Sequence, residues 1–103
     1  MTREEVQRLI QGQRQVLQEM GVRSLAVFGS VAQGTSGPDS DVDILVEFSR
    51  PVGLFEFIRL KDTLEGILGS PVDLVTPDAL REPMRPIVLQ EAVDVIPQLA
   101  AAH

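Results

Sequence analysis

The most constraining feature of this sequence is a pair of aspartates at the head of an apolar run. Asp41 and Asp43 flank Val42, and aliphatic residues follow, so the segment over 42–48 has the composition of a β-strand. Alternate side chains of a strand point to the same face, so we expect Asp41 and Asp43 to share one face. Val42 and Ile44 then point to the other. Such a strand favours a sheet that buries one face against helices and keeps the other for charged groups.

The rest of the pattern predicts the element order α-β-β-α-β-α-β. Thr2 and Glu5 have the spacing of a helix capping box, and apolar residues at helical intervals continue to Met20, just before Gly21. This order indicates an α+β fold, a small mixed β-sheet with helices packed mainly on one face, rather than a doubly wound sheet. The predicted strands cover 24–28, 42–48, 72–75 and 93–96, and the later helices cover 57–68 and 85–91.

Composition narrows the class of protein. A chain of 103 residues suits one domain, expected over 1–97, with a frayed tail over 98–103. A net charge of −6 and an aromatic content of 4%, without Trp or Tyr, disfavour nucleic-acid binding. The lack of Cys excludes thiolate chemistry, and a single His, at position 103, excludes a multi-histidine metal site. No apolar run reaches the length of a membrane span, so a cytoplasmic protein is expected.

The aspartate pair itself suggests a cation site. Two carboxylates on one face repel each other, and a divalent cation between them relieves that repulsion. Oxygen ligands with a phosphate completing the coordination suit Mg²⁺. Considered alone, an Asp-x-Asp pair is more often a solvated strand face, so its meaning depends on the residues around it.

A phosphate site is predicted just before the pair. Gly29 and Ser30 end the first strand, and ten residues rich in turn formers separate them from Asp41. Glycine lets a backbone approach a phosphate closely, and the amides and hydroxyl of such a turn can bind its oxygens. Asp73 lies in a later short strand among apolar neighbours and either ends that strand or supplies a third carboxylate. In the second case Asp41, Asp43 and Asp73 could hold two metal ions against a nucleoside triphosphate.

The spacing Gly-Ser, ten residues, Asp-x-Asp resembles the signature of the DNA polymerase β-like nucleotidyltransferase superfamily. The segments Leu-Ala-Val-Phe-Gly-Ser at 25–30 and Asp-Ser-Asp-Val-Asp-Ile-Leu-Val at 39–46 are similar to those of its minimal nucleotidyltransferases, and the resemblance runs over about 22–96. It implies the polymerase β-like nucleotidyltransferase fold. The site residues that it implies are Gly29 and Ser30 for phosphate binding, and Asp41, Asp43 and Asp73 for metal binding and catalysis.

The resemblance also implies a function. Minimal nucleotidyltransferases are typically the antitoxin of a two-gene module whose toxin is a helical HEPN-domain ribonuclease. An ATP- and Mg²⁺-dependent enzyme is therefore expected, one that adenylylates a HEPN toxin on a hydroxyl such as that of Tyr and can form a hetero-oligomer with it.

Two alternatives stay open. Val31 and Gln33 stand where family members often carry Arg, which reduces the positive charge near the phosphates. The chain could therefore be a binding antitoxin that neutralises its partner by stoichiometric contact, with a vestigial site. Transfer onto RNA is the other alternative, and the acidic composition disfavours it.

Overall fold

The described elements follow the predicted order, with the N-terminal helical segment divided in two. The computed structural model describes residues 2–29, 41–80 and 82–96, so the tail over 98–103 lies outside the described residues. The elements are α1 (Arg3–Gln11), α2 (Arg14–Glu19), β1 (Val22–Phe28), β2 (Val42–Phe48), α3 (Leu54–Leu68), β3 (Val72–Val75), a 3₁₀ helix (Pro77–Ala79), α4 (Met84–Glu91) and β4 (Val93–Ile96).

The prediction of one continuous helix as far as Met20 is wrong at its centre. The helix begins at the predicted capping box, in which Glu5 N donates to Thr2 Oγ1 at 3.1 Å and Thr2 N donates to Glu5 Oε1 at 3.2 Å. It ends at Gly12, and Gln13 adopts φ −118° and ψ 23°, outside the helical region. Glycine costs about 1 kcal/mol relative to Ala inside a helix, so Gly12 is a weak point at which the chain changes direction.

The sheet is small and mixed, as predicted. Its strand order is β3-β2-β1-β4. The central strand β1 pairs antiparallel with both β2 and β4, whereas β3 pairs parallel with β2. Parallel neighbours need a crossover connection, and α3 supplies it between β2 and β3.

One face of the sheet carries the hydrophobic core. The apolar side chains of α1, α2 and α3 pack there against alternate residues of the strands, which confirms that the helices lie mainly on one face. Each fully buried Val or Leu side chain contributes about 1.5–3 kcal/mol by leaving water. No helix within the described ranges is long and apolar enough to cross a membrane. The buried core includes Val6, Ile10, Leu17, Leu25, Val27, Val42, Ile44, Val46, Leu60, Leu64, Leu68, Val72, Leu74 and Val95.

The turn between α3 and β3 sets where β3 begins. Gly69 ends α3 with a left-handed φ of 68°, and its N–H donates to the Glu65 carbonyl at 2.8 Å. The Glu65 side chain then accepts a hydrogen bond from Val72 N at 2.9 Å, and Val42 N donates to the Pro71 carbonyl at 2.9 Å. These hydrogen bonds therefore join the last turn of α3 to the start of β3, and the residue before β3 to the start of β2.

We expect Glu65→Ala to lower the melting temperature by about 4–8 °C, because the Val72 amide loses an acceptor worth about 1 kcal/mol. Glu65→Gln keeps an acceptor oxygen and should lose less. The matched control is Asp62→Ala, which removes the same charge from an exposed position of the same helix. Thermal unfolding of the three variants measures the difference. If Glu65→Ala melted together with Asp62→Ala, the hydrogen bond to Val72 would not stabilise the turn.

Candidate active site

The strand register places two of the proposed metal-binding carboxylates side by side. Asp43 of β2 and Asp73 of β3 are Cα partners in the parallel ladder. Directly paired residues of neighbouring strands share a face, and the strands lie about 4.8 Å apart. Their neighbours in the ladder, the paired residues Ile44 and Leu74, belong to the core. Asp43 and Asp73 therefore lie on the face opposite to the core, where carboxylates stay accessible to a ligand.

Asp41 precedes β2 and contributes to the same electrostatic environment. It is exposed, as is Asp73, whereas Asp43 is half-buried. Burial raises the pKa of the Asp43 carboxyl above its ordinary value, and the negative charges of Asp73 and Asp41 raise this pKa further. Three like charges therefore act on one another at this edge of the sheet, which is an arrangement that favours a bound cation.

Gly29 lies directly against Asp43. It follows Phe28, the β1 residue that pairs with Asp43, and its φ of 69° is left-handed. A Cβ atom at position 29 would overlap Oδ2 of Asp43 and would lie 3.3 Å from Cγ. The end of β1, which the sequence assigns to phosphate binding, therefore meets the carboxylate pair. Ser30, Val31 and Gln33 lie outside the described residues.

The donor set fits a hard divalent cation that shares its ligands with a substrate. The available donors are carboxylate oxygens, which Mg²⁺ prefers, and Mg²⁺ usually keeps waters or substrate phosphates in its shell. Over residues 2–29, 41–80 and 82–96, no three acidic, His or Cys side chains are gathered closely enough to hold a metal ion by themselves. These carboxylates would therefore hold such a cation only together with further ligands.

A cavity at the other end of the sheet has no counterpart in the sequence analysis. It measures about 890 Å³ and lies where β2 and β3 end, lined by residues that include Phe48, Phe57 and the 3₁₀ helix. The ring centroids of Phe48 and Phe57 lie 6.4 Å apart. None of the Asp residues of the candidate site lines this cavity, so we locate the chemistry at the carboxylates. The signals for this cavity in the sequence are the turn formers after each strand, at 50–53 and 76–78.

Residues 10–96 match the family of nucleotidyltransferase domains. The chain is 42% identical over 96 residues to protein adenylyltransferase MntA of Thermococcus cleftensis. The aligned residues make up 92% of this chain and 97% of that protein. A solved structure assigned to a minimal nucleotidyltransferase is 36% identical, has a TM-score of 0.71, and covers 90% of this chain and 95% of that one. A structure of the tri-AMPylated Shewanella oneidensis HEPN toxin in complex with MNT antitoxin is similar in fold, with 18% identity and a TM-score of 0.57 over 87% of this chain and 74% of that chain.

We expect Asp43→Asn to raise the melting temperature of the metal-free protein at pH 7. Because folding raises the pKa of Asp43, the folded state binds more protons than the unfolded state between the ordinary and the raised pKa. The stability of the wild-type protein therefore falls as the pH rises through that window.

Thermal melts in EDTA across the acidic to neutral range test this linkage. The advantage of Asp43→Asn should shrink as the pH falls towards 3.8, the ordinary value for Asp. Asp62→Asn, at an exposed position of α3, is the control and should show no comparable trend. An Asp43→Asn variant that is less stable than this control at pH 7 would contradict the expectation.

Proposed function

Because the chain belongs to the family of nucleotidyltransferase domains, we propose that it is a protein adenylyltransferase that uses ATP and Mg²⁺. The observation that carries the proposal is the pairing of Asp43 with Asp73 on the face opposite to the core, with Gly29 packed against Asp43. The identity of 42% to a protein adenylyltransferase over nearly the whole of both chains supports this activity.

The proposal gives each site residue a role. Asp41, Asp43 and Asp73 hold Mg²⁺, and Gly29 and Ser30 receive the phosphates of ATP. When bound, Mg²⁺ neutralises charge on the triphosphate and on the departing pyrophosphate.

Asp73 is exposed and therefore reachable by a second substrate. Its carboxylate accepts the proton of the acceptor hydroxyl as the hydroxyl oxygen bonds to the α-phosphorus. The bond from that phosphorus to the bridging oxygen breaks, and pyrophosphate leaves.

We assign the acceptor to a protein, a HEPN-domain toxin that the chain adenylylates on a hydroxyl such as that of Tyr. The fold similarity to an MNT antitoxin in complex with an AMPylated HEPN toxin supports an antitoxin that assembles with its target. The net charge of −6 argues against an RNA acceptor, because a phosphate backbone would be repelled. In this proposal residues 1–97 act as one catalytic domain in the cytoplasm, where ATP and Mg²⁺ are available.

ATP and Mg²⁺ should stabilise the fold together and not separately. The acidic site repels a free triphosphate, and Mg²⁺ without phosphates lacks part of its coordination shell. At about 100 times the dissociation constant, the pair should add roughly 2.7 kcal/mol to the free energy of unfolding. Thermal melts with ATP, with Mg²⁺ and with both measure this effect. The absence of a shift with both ligands at millimolar concentration would indicate a vestigial site.

Transfer should be catalytic. A limiting amount of this chain, mixed with excess HEPN partner, ATP and Mg²⁺, should add one or more AMP units to most of the partner, as measured by intact mass. Asp41→Asn and Asp43→Asn should each abolish transfer and stay folded, because the amide keeps the shape and loses the charge that binds the metal. Asp62→Asn is the matched control and should transfer at the wild-type rate.

The alternative of a purely binding antitoxin gives a different result in the same assay. Neutralisation of the toxin would then require equal amounts of the two proteins, would need no ATP and would survive Asp43→Asn. That combination of results would reject the enzymatic proposal and show that the chain acts as a stoichiometric binding protein.

A further inference from the structure

Gly29 and Asp43 compete for the same volume. The position that a side chain at residue 29 would occupy is taken by Oδ2 of Asp43, and Cγ of Asp43 lies 3.3 Å from it. The Asp43 Cβ atom lies at 3.6 Å, an ordinary contact distance. The conflict therefore concerns the carboxylate and not the strand backbone that bears it.

The location of Asp43 in the sheet shows why this volume matters. Its Cα partners are Phe28 on β1 and Asp73 on β3, so the carboxylate has a neighbouring strand on each side. On the β3 side it meets another negative charge, which opposes close approach. On the β1 side its direct partner is Phe28, and the next residue, Gly29, has no side chain.

We propose that Gly29 is a positioning residue for Asp43: the volume left by its missing side chain holds the Asp43 carboxylate at the place from which it binds the metal. The role in metal binding rests on the proposed function, whereas the steric coupling between the two residues does not. This role is separate from contact between the Gly29 backbone and a phosphate, since it acts through the side chain of Asp43.

Backbone conformation alone would also select glycine at position 29, and Gly69 separates the two explanations. Its φ of 68° is nearly the same as the 69° of Gly29, so Ala at either position meets the same backbone strain. A Cβ atom at position 69 has no neighbour within 4 Å. Gly69→Ala therefore measures the strain, and Gly29→Ala measures the strain together with the contact to Asp43.

The first experiment is a double-mutant cycle in metal-free protein. Gly29→Ala, Asp43→Ala and the double variant are compared by thermal or denaturant unfolding, and Gly69→Ala is measured in both the wild-type and the Asp43→Ala background. We expect Gly29→Ala to lower the melting temperature more than Gly69→Ala does. The excess should vanish in the Asp43→Ala background, because the carboxylate is gone, while the effect of Gly69→Ala stays the same.

This cycle decides the proposal without reference to activity. An equal loss from Gly29→Ala in both backgrounds would overturn it. If Gly29→Ala does not fold, recovery of folding in the Gly29→Ala, Asp43→Ala double variant supports the proposal, and failure of both variants overturns it.

The second experiment measures the consequence for transfer. Gly29→Ala should lower kcat and raise the Mg²⁺ concentration for half-maximal rate, each by about tenfold or more, since a displacement of about 1 Å in an active site can cost on the order of 100-fold. The KM for the protein partner should not change, and Gly69→Ala should leave all three quantities at wild-type values. A normal Mg²⁺ requirement in a folded Gly29→Ala variant would overturn the positioning role. A wild-type protein that neither transfers AMP nor responds to ATP with Mg²⁺ would reject the proposed function instead, and the cycle would still decide the steric coupling.

Discussion

The parallel ladder between β2 and β3 determines both the core and the candidate site. It starts at the hydrogen bond from Val42 N to the Pro71 carbonyl, and Glu65 holds the first amide of β3. Side chains alternate along a strand, so a slip of one residue would turn Asp73 towards the core and Val72 towards solvent. The free energy gained by burying the apolar residues of β3 therefore also holds Asp73 beside Asp43. Packing on the core face therefore fixes which carboxylates lie side by side on the opposite face.

The carboxylates of the candidate site repel one another, and this repulsion is unfavourable for the folded state. Asp43 is half-buried next to two further carboxylates, and its pKa is raised by that burial and by their charges. The raised pKa of Asp43 means that ionising this carboxyl lowers the stability of the fold. A cation reverses the sign of the interaction, because the charges that repel one another all attract it. A cation at this site would therefore stabilise the fold, as the proposed function requires.

Local patterns predicted those parts of the structure that depend on nearby residues. Three of the four strands begin and end where alternation and turn residues place them, and the capping box at Thr2 marks the start of α1. The break at Gly12 was missed because apolar residues resume at helical spacing from Val16, although no apolar side chain stands between Ile10 and Val16. The sequence predicted that the turn at Gly29 and Ser30 would meet the aspartates if their strands were neighbours, but the contact of Gly29 with Oδ2 of Asp43 depends on how the end of β1 meets β2. The pairing of Asp73 with Asp43 likewise requires the register between strands, which no local motif encodes.

The sheet face that bears Asp43 becomes apolar and buried beyond the carboxylates, and this affects how they act. Ala26 and Leu45 are cross-strand partners on the same face as Asp43, and each is only 6% exposed. Leu45 is two residues beyond Asp43 on β2, so an apolar surface borders the acidic edge on one side. An apolar border keeps water away and lowers the local dielectric, which strengthens both the repulsion among carboxylates and their attraction for a cation. The apolar residues of this face therefore strengthen the electrostatic interactions of the carboxylates that lie beyond them.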